Sequence, residues 1–161
     1  MDTAYNYRNC QSLFGYAAKV HRRCHWTCEL CGCGGKPVNF DLWRQLTVEH
    51  VIGESQGGYL KDLRPAVAGR FPSLSKHEQD AIVLAIDEVN TVTACSFCNS
   101  MTSRDRRETS MVDLLSVEGD RDQVMAHVQA VIQQILDKKR ETVRWKLVSV
   151  RDAFERLIRA D

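Results

Sequence analysis

The sequence predicts an α+β fold in which a small extended unit is held among helices. Three observations carry that prediction. Apolar residues recur at helical spacing near both ends of the chain, and alternating apolar residues run through its middle. Two Cys-x-x-Cys pairs, Cys28/Cys31 and Cys95/Cys98, bracket that middle.

In chain order, Leu13, Ala17, Val20 and Cys24 step by four and three, with Phe14 and Ala18 widening the stripe. The spacing predicts a helix over 10–24, which leads directly into the cysteine- and glycine-rich turn "CHWTCELCGCGGKP". Residues 38–52 read as extended, with Val38, Phe40, Leu42, Leu46 and Val48 in rough alternation until Gly57 and Gly58 end the segment. Two prolines in 59–74 predict short helical or loop pieces. Ser75 followed by Glu78 is a capping box, and the helix behind it presents Ile82, Ala85, Ile86 and Val89 on one face.

A β-branched strand is expected from Asn90 to Ala94, then the second cysteine pair and a polar helix. Beyond Gly119, Val124, Val128, Val131, Ile132, Ile135 and Leu136 define an amphipathic helix. From Val143 the steps to Leu147, Val150, Phe154 and Leu157 predict another helix, while the alternation in "TVRWKLV" keeps a strand at 142–148 open. The organisation that follows is a domain over 1–110 with an insertion at 59–89. A helical extension over 111–161 either packs on it or forms a dimer interface.

With 161 residues, 43% hydrophobic and 27% charged, the chain has the composition of a soluble globular protein of one ordinary domain. No apolar run approaches the ~20 residues that span a bilayer. The start "MDTAYNYRNC" carries no apolar core of a secretory signal, so the expected compartment is the cytoplasm, with no membrane partner. The net charge of +1 announces no nucleic-acid partner by itself, so any such footprint must come from clusters. Two exist, "HRRCH" at 21–25 and "SRDRR" at 103–107; read alone, they are solvated helix ends before they are a nucleic-acid footprint.

Seven cysteines in a reducing compartment point to metal ligation before disulfides. Each CxxC gap lets two thiolates turn toward one ion, and two such knuckles complete a closed tetrahedral site for a structural zinc: Cys28, Cys31, Cys95 and Cys98. The stretch between the pairs is far longer than the ~15–20 residues of compact zinc ribbons. Cys33 makes the first knuckle CxxCxC and competes as a ligand. Cys24, on the apolar helix face, reads as a buried thiol. A thiol redox role for a CxxC pair is the alternative, and it would want a βαβ context that the chain lacks.

Within "LTVEHVIGESQGG", Glu49 and His50 sit side by side in an apolar strand, where neighbours point to opposite faces. Taken with the cysteine pairs, the run "C-E-L-C … L-T-V-E-H-V-I-G-E-S-Q-G-G … N-T-V-T-A-C-S-F-C-N" resembles the HNH, or ββα-metal, endonuclease family. The resemblance covers roughly residues 17–105. It departs from the family at Glu49, where aspartate is commoner, at Gly53, where proline is frequent, and in the long segment from Tyr59 to Val89.

The resemblance implies a ββα-metal core stapled by the four-cysteine zinc. His50 would be the general base that takes a proton from water. Glu49 and Asn99 would hold one catalytic divalent cation, Mg²⁺ or another, through oxygen ligands. Asn90 would fix the loop that orients His50. The reaction would be hydrolysis of DNA phosphodiester bonds, double-stranded DNA being the expected partner, with Arg22, Arg23, Arg104, Arg106 and Arg107 as phosphate contacts. The residues also admit blander roles: a satisfied core histidine for His50, a helix cap for Asn99 and a turn residue for Asn90. A non-catalytic zinc module that binds nucleic acid or protein is the alternative at the level of the whole chain.

Overall fold

The computed structural model describes residues 16–102 and 109–159. Cys10, Arg104, Arg106 and Arg107 lie outside the described residues. The described chain is mostly helical around one small sheet. Its elements are α1 (Tyr16–Arg23), α2 (Phe40–Trp43), β1 (Leu46–His50), α3 (Leu60–Arg70), α4 (Lys76–Asn90), β2 (Thr91–Cys95), α5 (Ser96–Thr102), α6 (Met111–Leu115) and α7 (Arg121–Leu157), with a 3₁₀ turn at Glu54–Gln56.

β1 and β2 pair antiparallel, with Leu46 opposite Cys95 and His50 opposite Thr91. α4 runs straight into β2, and β2 straight into α5, so helix, strand and helix form one continuous path with no loop between them. The sheet therefore inherits its position from α4, whose start is fixed by the expected capping box: Ser75 Oγ accepts from Glu78 N at 3.3 Å, and Glu78 Oε2 accepts from Ser75 N at 2.8 Å. Ile82, Val83 and Ile86 are the face that α4 buries.

Four expectations are corrected. The extended segment begins at Leu46, not at Val38, because Asn39 caps a short helix by accepting from Leu42 N at 2.8 Å. Residues 60–70 form one helix in place of short pieces. Pro65 removes one N–H within it, but Leu63 and Val67 are fully buried and hold it in register. Asn90 is the last residue of α4, and the strand spans Thr91–Cys95. The C-terminal region is one helix of 37 residues, about 55 Å long, and contains no strand.

One core joins these elements. Val20 of α1, Ile52, Leu63, Val67, Ile86, Ala94, Met111 and Leu114 share it with Val124, Val128, Ile132, Leu136 and Val143 of α7. The N-terminal half of α7 is thus a wall of the core. Beyond Val143 the helix carries Trp145, Val148, Phe154 and Leu157 exposed. No helix among the described residues is long and apolar enough to cross a membrane.

Candidate functional site

The cysteines gather at the Leu46–Cys95 end of the sheet. The first knuckle folds back on itself: Cys28 N donates to Cys33 O and Gly32 N to Cys28 O, both at 2.8 Å. Gly34 has φ +101°, and a Cβ there would lie 2.5 Å from the Trp26 carbonyl, so only glycine allows the return. Glu29 N donates to Thr93 O at 2.8 Å and ties the knuckle to β2.

The sulfurs of Cys28, Cys31, Cys33 and Cys95 lie within 4.8 Å of one another, and Cys31 Sγ is 4.0 Å from Cys95 Sγ. Four thiolates around zinc at ~2.3 Å stand about 3.8 Å apart. The donor set therefore fits a metal ion such as zinc. The mutually closest set contains Cys33 where the sequence reading has Cys98. The fold-back allowed by Gly32 and Gly34 is the physical reason, since it returns the third cysteine of the knuckle to the first two. Cys98, fully buried, still faces Cys28, Cys31 and Cys95, so five sulfurs converge on four tetrahedral positions.

Burial pushes the thiols of Cys28, Cys33 and Cys98 above the usual range. Cys31 goes the other way: burial raises it, but donation from the Cys33 backbone and neighbouring thiols outweighs that and favours its thiolate. Cys24 is buried, its sulfur accepting from Thr93 N at 3.4 Å.

At the other end of the sheet, Asn90 is fully buried and its side chain makes three hydrogen bonds. Its Oδ1 accepts from Ile52 N at 2.7 Å, while Nδ2 donates to Ile52 O at 3.1 Å and to Gly58 O at 3.0 Å. One side chain thus clamps both ends of the loop that follows His50. A Cβ at Gly58 would sit 1.8 Å from the Ile52 carbonyl, so the second glycine of the motif has a steric reason.

Pairing partners share a face, so His50 sides with Thr91, and Glu49 with Val92. The first face is covered by α1. His21 Nδ1 is 2.8 Å from Thr93 Oγ1, and Arg23 Nη2 donates to Thr91 O at 2.6 Å and to Thr91 Oγ1 at 3.0 Å. Arg23 is therefore engaged inside the fold, whereas Arg22 is exposed. The half-buried His50 ring lies 4.2 Å from that of Tyr59. Burial, and then the charge of Lys139, push the imidazole down to about 4.

The second face receives α5 and α7. Asn99 Nδ2 donates to Thr47 Oγ1 at 2.9 Å, and Thr102 Oγ1 donates to Glu49 Oε1 at 3.4 Å. Thr47 and Glu49 alternate onto the same side of β1, so Asn99 and Glu49 are brought to one face and His50 to the other. The Glu49 carboxylate pairs with the ammonium of Lys139; their side chains are only 5% and 6% exposed. Glu49 and Asn99 supply hard oxygens suited to Mg²⁺, yet the carboxylate is already neutralised by an internal cation.

Lys139 is the residue that sequence reasoning missed, although a signal was present. It sits between Leu136 and Val143 on the apolar stripe of α7, where a lysine is costly unless it has a buried partner. No protein-family model matches the chain, and neither a curated protein nor a solved structure matches it.

Proposed function

We propose that the chain is a zinc-stapled endonuclease that hydrolyses phosphodiester bonds in DNA, with an HNH-type ββα core formed by β1, β2 and α5. The observation that carries this reading is the fixed end of β1. Asn90 clamps the loop behind His50, while α5, starting at the cysteine knuckle, delivers Asn99 to the face of Glu49. His50 is neutral at pH 7, the state in which an imidazole accepts a proton from water. Glu49 and Asn99 would hold the divalent cation, which when bound would stabilise charge developing on the phosphate. For that, the Lys139 ammonium has to leave the carboxylate.

The same ion pair favours a second reading, a zinc-bearing module that binds nucleic acid without cutting it. A carboxylate already neutralised in the interior makes a folded unit without any divalent ion. Plasmid nicking separates the two. The nuclease reading expects Mg²⁺- or Mn²⁺-dependent nicking by wild type, and loss of at least about 100-fold in His50→Ala, the scale of general-base catalysis, with unchanged circular dichroism and zinc content. Wild type that retains DNA but never nicks it, whatever divalent ion is supplied, leaves the binding module.

A further inference from the structure

Between the cysteine knuckle and the exposed half of α7 lies a cleft of about 660 Å³, walled by Leu30, Cys31, Arg140, Arg144, Leu147 and Arg151. On α7 those residues are spaced by four, three and four, so three arginines and a leucine form one row on the helix. Arg140 closes one end: its Nε donates to Glu29 O at 2.8 Å and its Nη2 meets Glu29 Oε2 at 2.7 Å, fastening helix to knuckle. Its charge is further met by Asp137 at 2.9 Å. Asp152, the acid in the lining, is paired with Arg156 at 2.7 Å.

That leaves Arg144 and Arg151, both exposed, with no ion pair or hydrogen bond among the described residues. They stand about 10 Å apart along the helix axis. Between them the surface is apolar, formed by Leu30, Leu147 and Val148. Two uncompensated guanidinium groups flanking an apolar floor suit a polymer with regularly spaced phosphates joined by less polar sugars.

We propose that this cleft binds the phosphodiester backbone of a nucleic-acid strand, with Arg144 and Arg151 as its phosphate contacts and Arg140 as the residue that sets its width. The inference rests on nucleic acid being the partner, but not on the chain cutting it. It also differs from the arginines that the sequence singled out, since Arg23 is held by Thr91 and the row lies on the C-terminal helix. The competing role for these charges is to balance the thiolates around a metal bound at Cys31.

The test is the salt dependence of binding to a labelled DNA duplex and to the same single strand, using zinc-loaded His50→Ala protein without Mg²⁺. Each phosphate contact contributes ~0.9 to the slope of log K against log salt on duplex and ~0.7 on a single strand. Arg144→Gln with Arg151→Gln is expected to flatten the slope by about 1.8 on duplex, or about 1.4 where a single strand is the ligand. Zinc content stays at the wild-type value. The control, Lys19→Gln with Lys138→Gln, removes the same charge from exposed positions outside the cleft and leaves the slope unchanged.

Four results overturn the inference: an unchanged slope in the arginine variant, an equal change in the lysine control, loss of zinc from the arginine variant, or no DNA binding by the starting protein. The two proposals fail separately. Nicking by wild type together with an unchanged slope removes only the cleft. An arginine-dependent slope in a protein that never nicks removes only the nuclease.

Discussion

The two ends of the small sheet solve one problem in opposite ways. At the Leu46–Cys95 end, four or five sulfurs crowd together, a donor set that fits an ion from outside the chain. At the His50–Thr91 end, the chain supplies its own fastening: the Asn90 amide for the loop and the Lys139 ammonium for Glu49. An end closed by an ion is conditional and reversible. The second is present whenever the polypeptide is folded. A single pair of five-residue strands thus carries one terminus built of metal-ligand side chains and one that is self-sufficient.

Metal removal is the strongest way to break that comparison. Structural zinc contributes on the order of 10 kcal/mol to small modules, against a total stability of about 5–15 kcal/mol for a domain. Chelation, or Cys28→Ser with Cys95→Ser, is therefore expected to remove most of the stability, seen as a collapse of the thermal transition and reversed for wild type by zinc. Hydrogen exchange should show where it acts first. The amides of Glu29, Gly32 and Ser96 lose protection before that of Ile52, which Asn90 holds. Simultaneous loss at both ends would mean that the metal fastens the whole sheet.

At the other end, Lys139→Met leaves the Glu49 carboxylate buried and uncompensated, which costs about 3–5 kcal/mol. Glu49→Gln with Lys139→Met removes both charges and should recover most of that loss in urea denaturation, a coupling that a double-mutant cycle reads directly. The single variant should also bind Mn²⁺ more tightly than wild type, because the carboxylate then lacks its internal counter-charge. Identical Mn²⁺ affinity in Lys139→Met and wild type would show that Glu49 does not see the divalent ion at all.

How far the sequence could be read follows from the range of the signals. Ser75 and Glu78 are three residues apart, so their reciprocal cap was legible, as were the CxxC knuckles and the apolar stripe of the first half of α7. Asn39 does not read as a cap because Val38, Phe40 and Leu42 alternate like a strand, yet a single side-chain bond to Leu42 N decides for a helix. The long helix reads as two pieces because "TVRWKLV" alternates just where burial stops at Val143. Cys33 enters the cysteine cluster only through a backbone return at positive φ, which spacing alone does not convey. Glu49 and Lys139 are far apart in the chain. Their pairing could be suspected only from a lysine in an apolar row and a glutamate in an apolar strand.

The smallest expected effect sharpens the contrast between the ends through pH. His50 titrates near 4 in the fold, below its ordinary 6.5, because of burial and then the Lys139 charge, and burial also lowers His21. Between pH 6.5 and about 4 the unfolded chain therefore binds more protons than the folded one. Stability from the His50 imidazole is complete above pH 6.5 and is lost as pH falls toward 4, and His21 contributes with the same sign. An NMR titration of the His50 ring isolates this from acid release of metal at the cysteines. The wild-type midpoint is expected near 4, and in Glu49→Gln with Lys139→Met it should move up toward 6.5 while staying below it, since burial persists. A wild-type midpoint already at 6.5 would place His50 in water and remove the asymmetry between its face of β1 and that of Glu49.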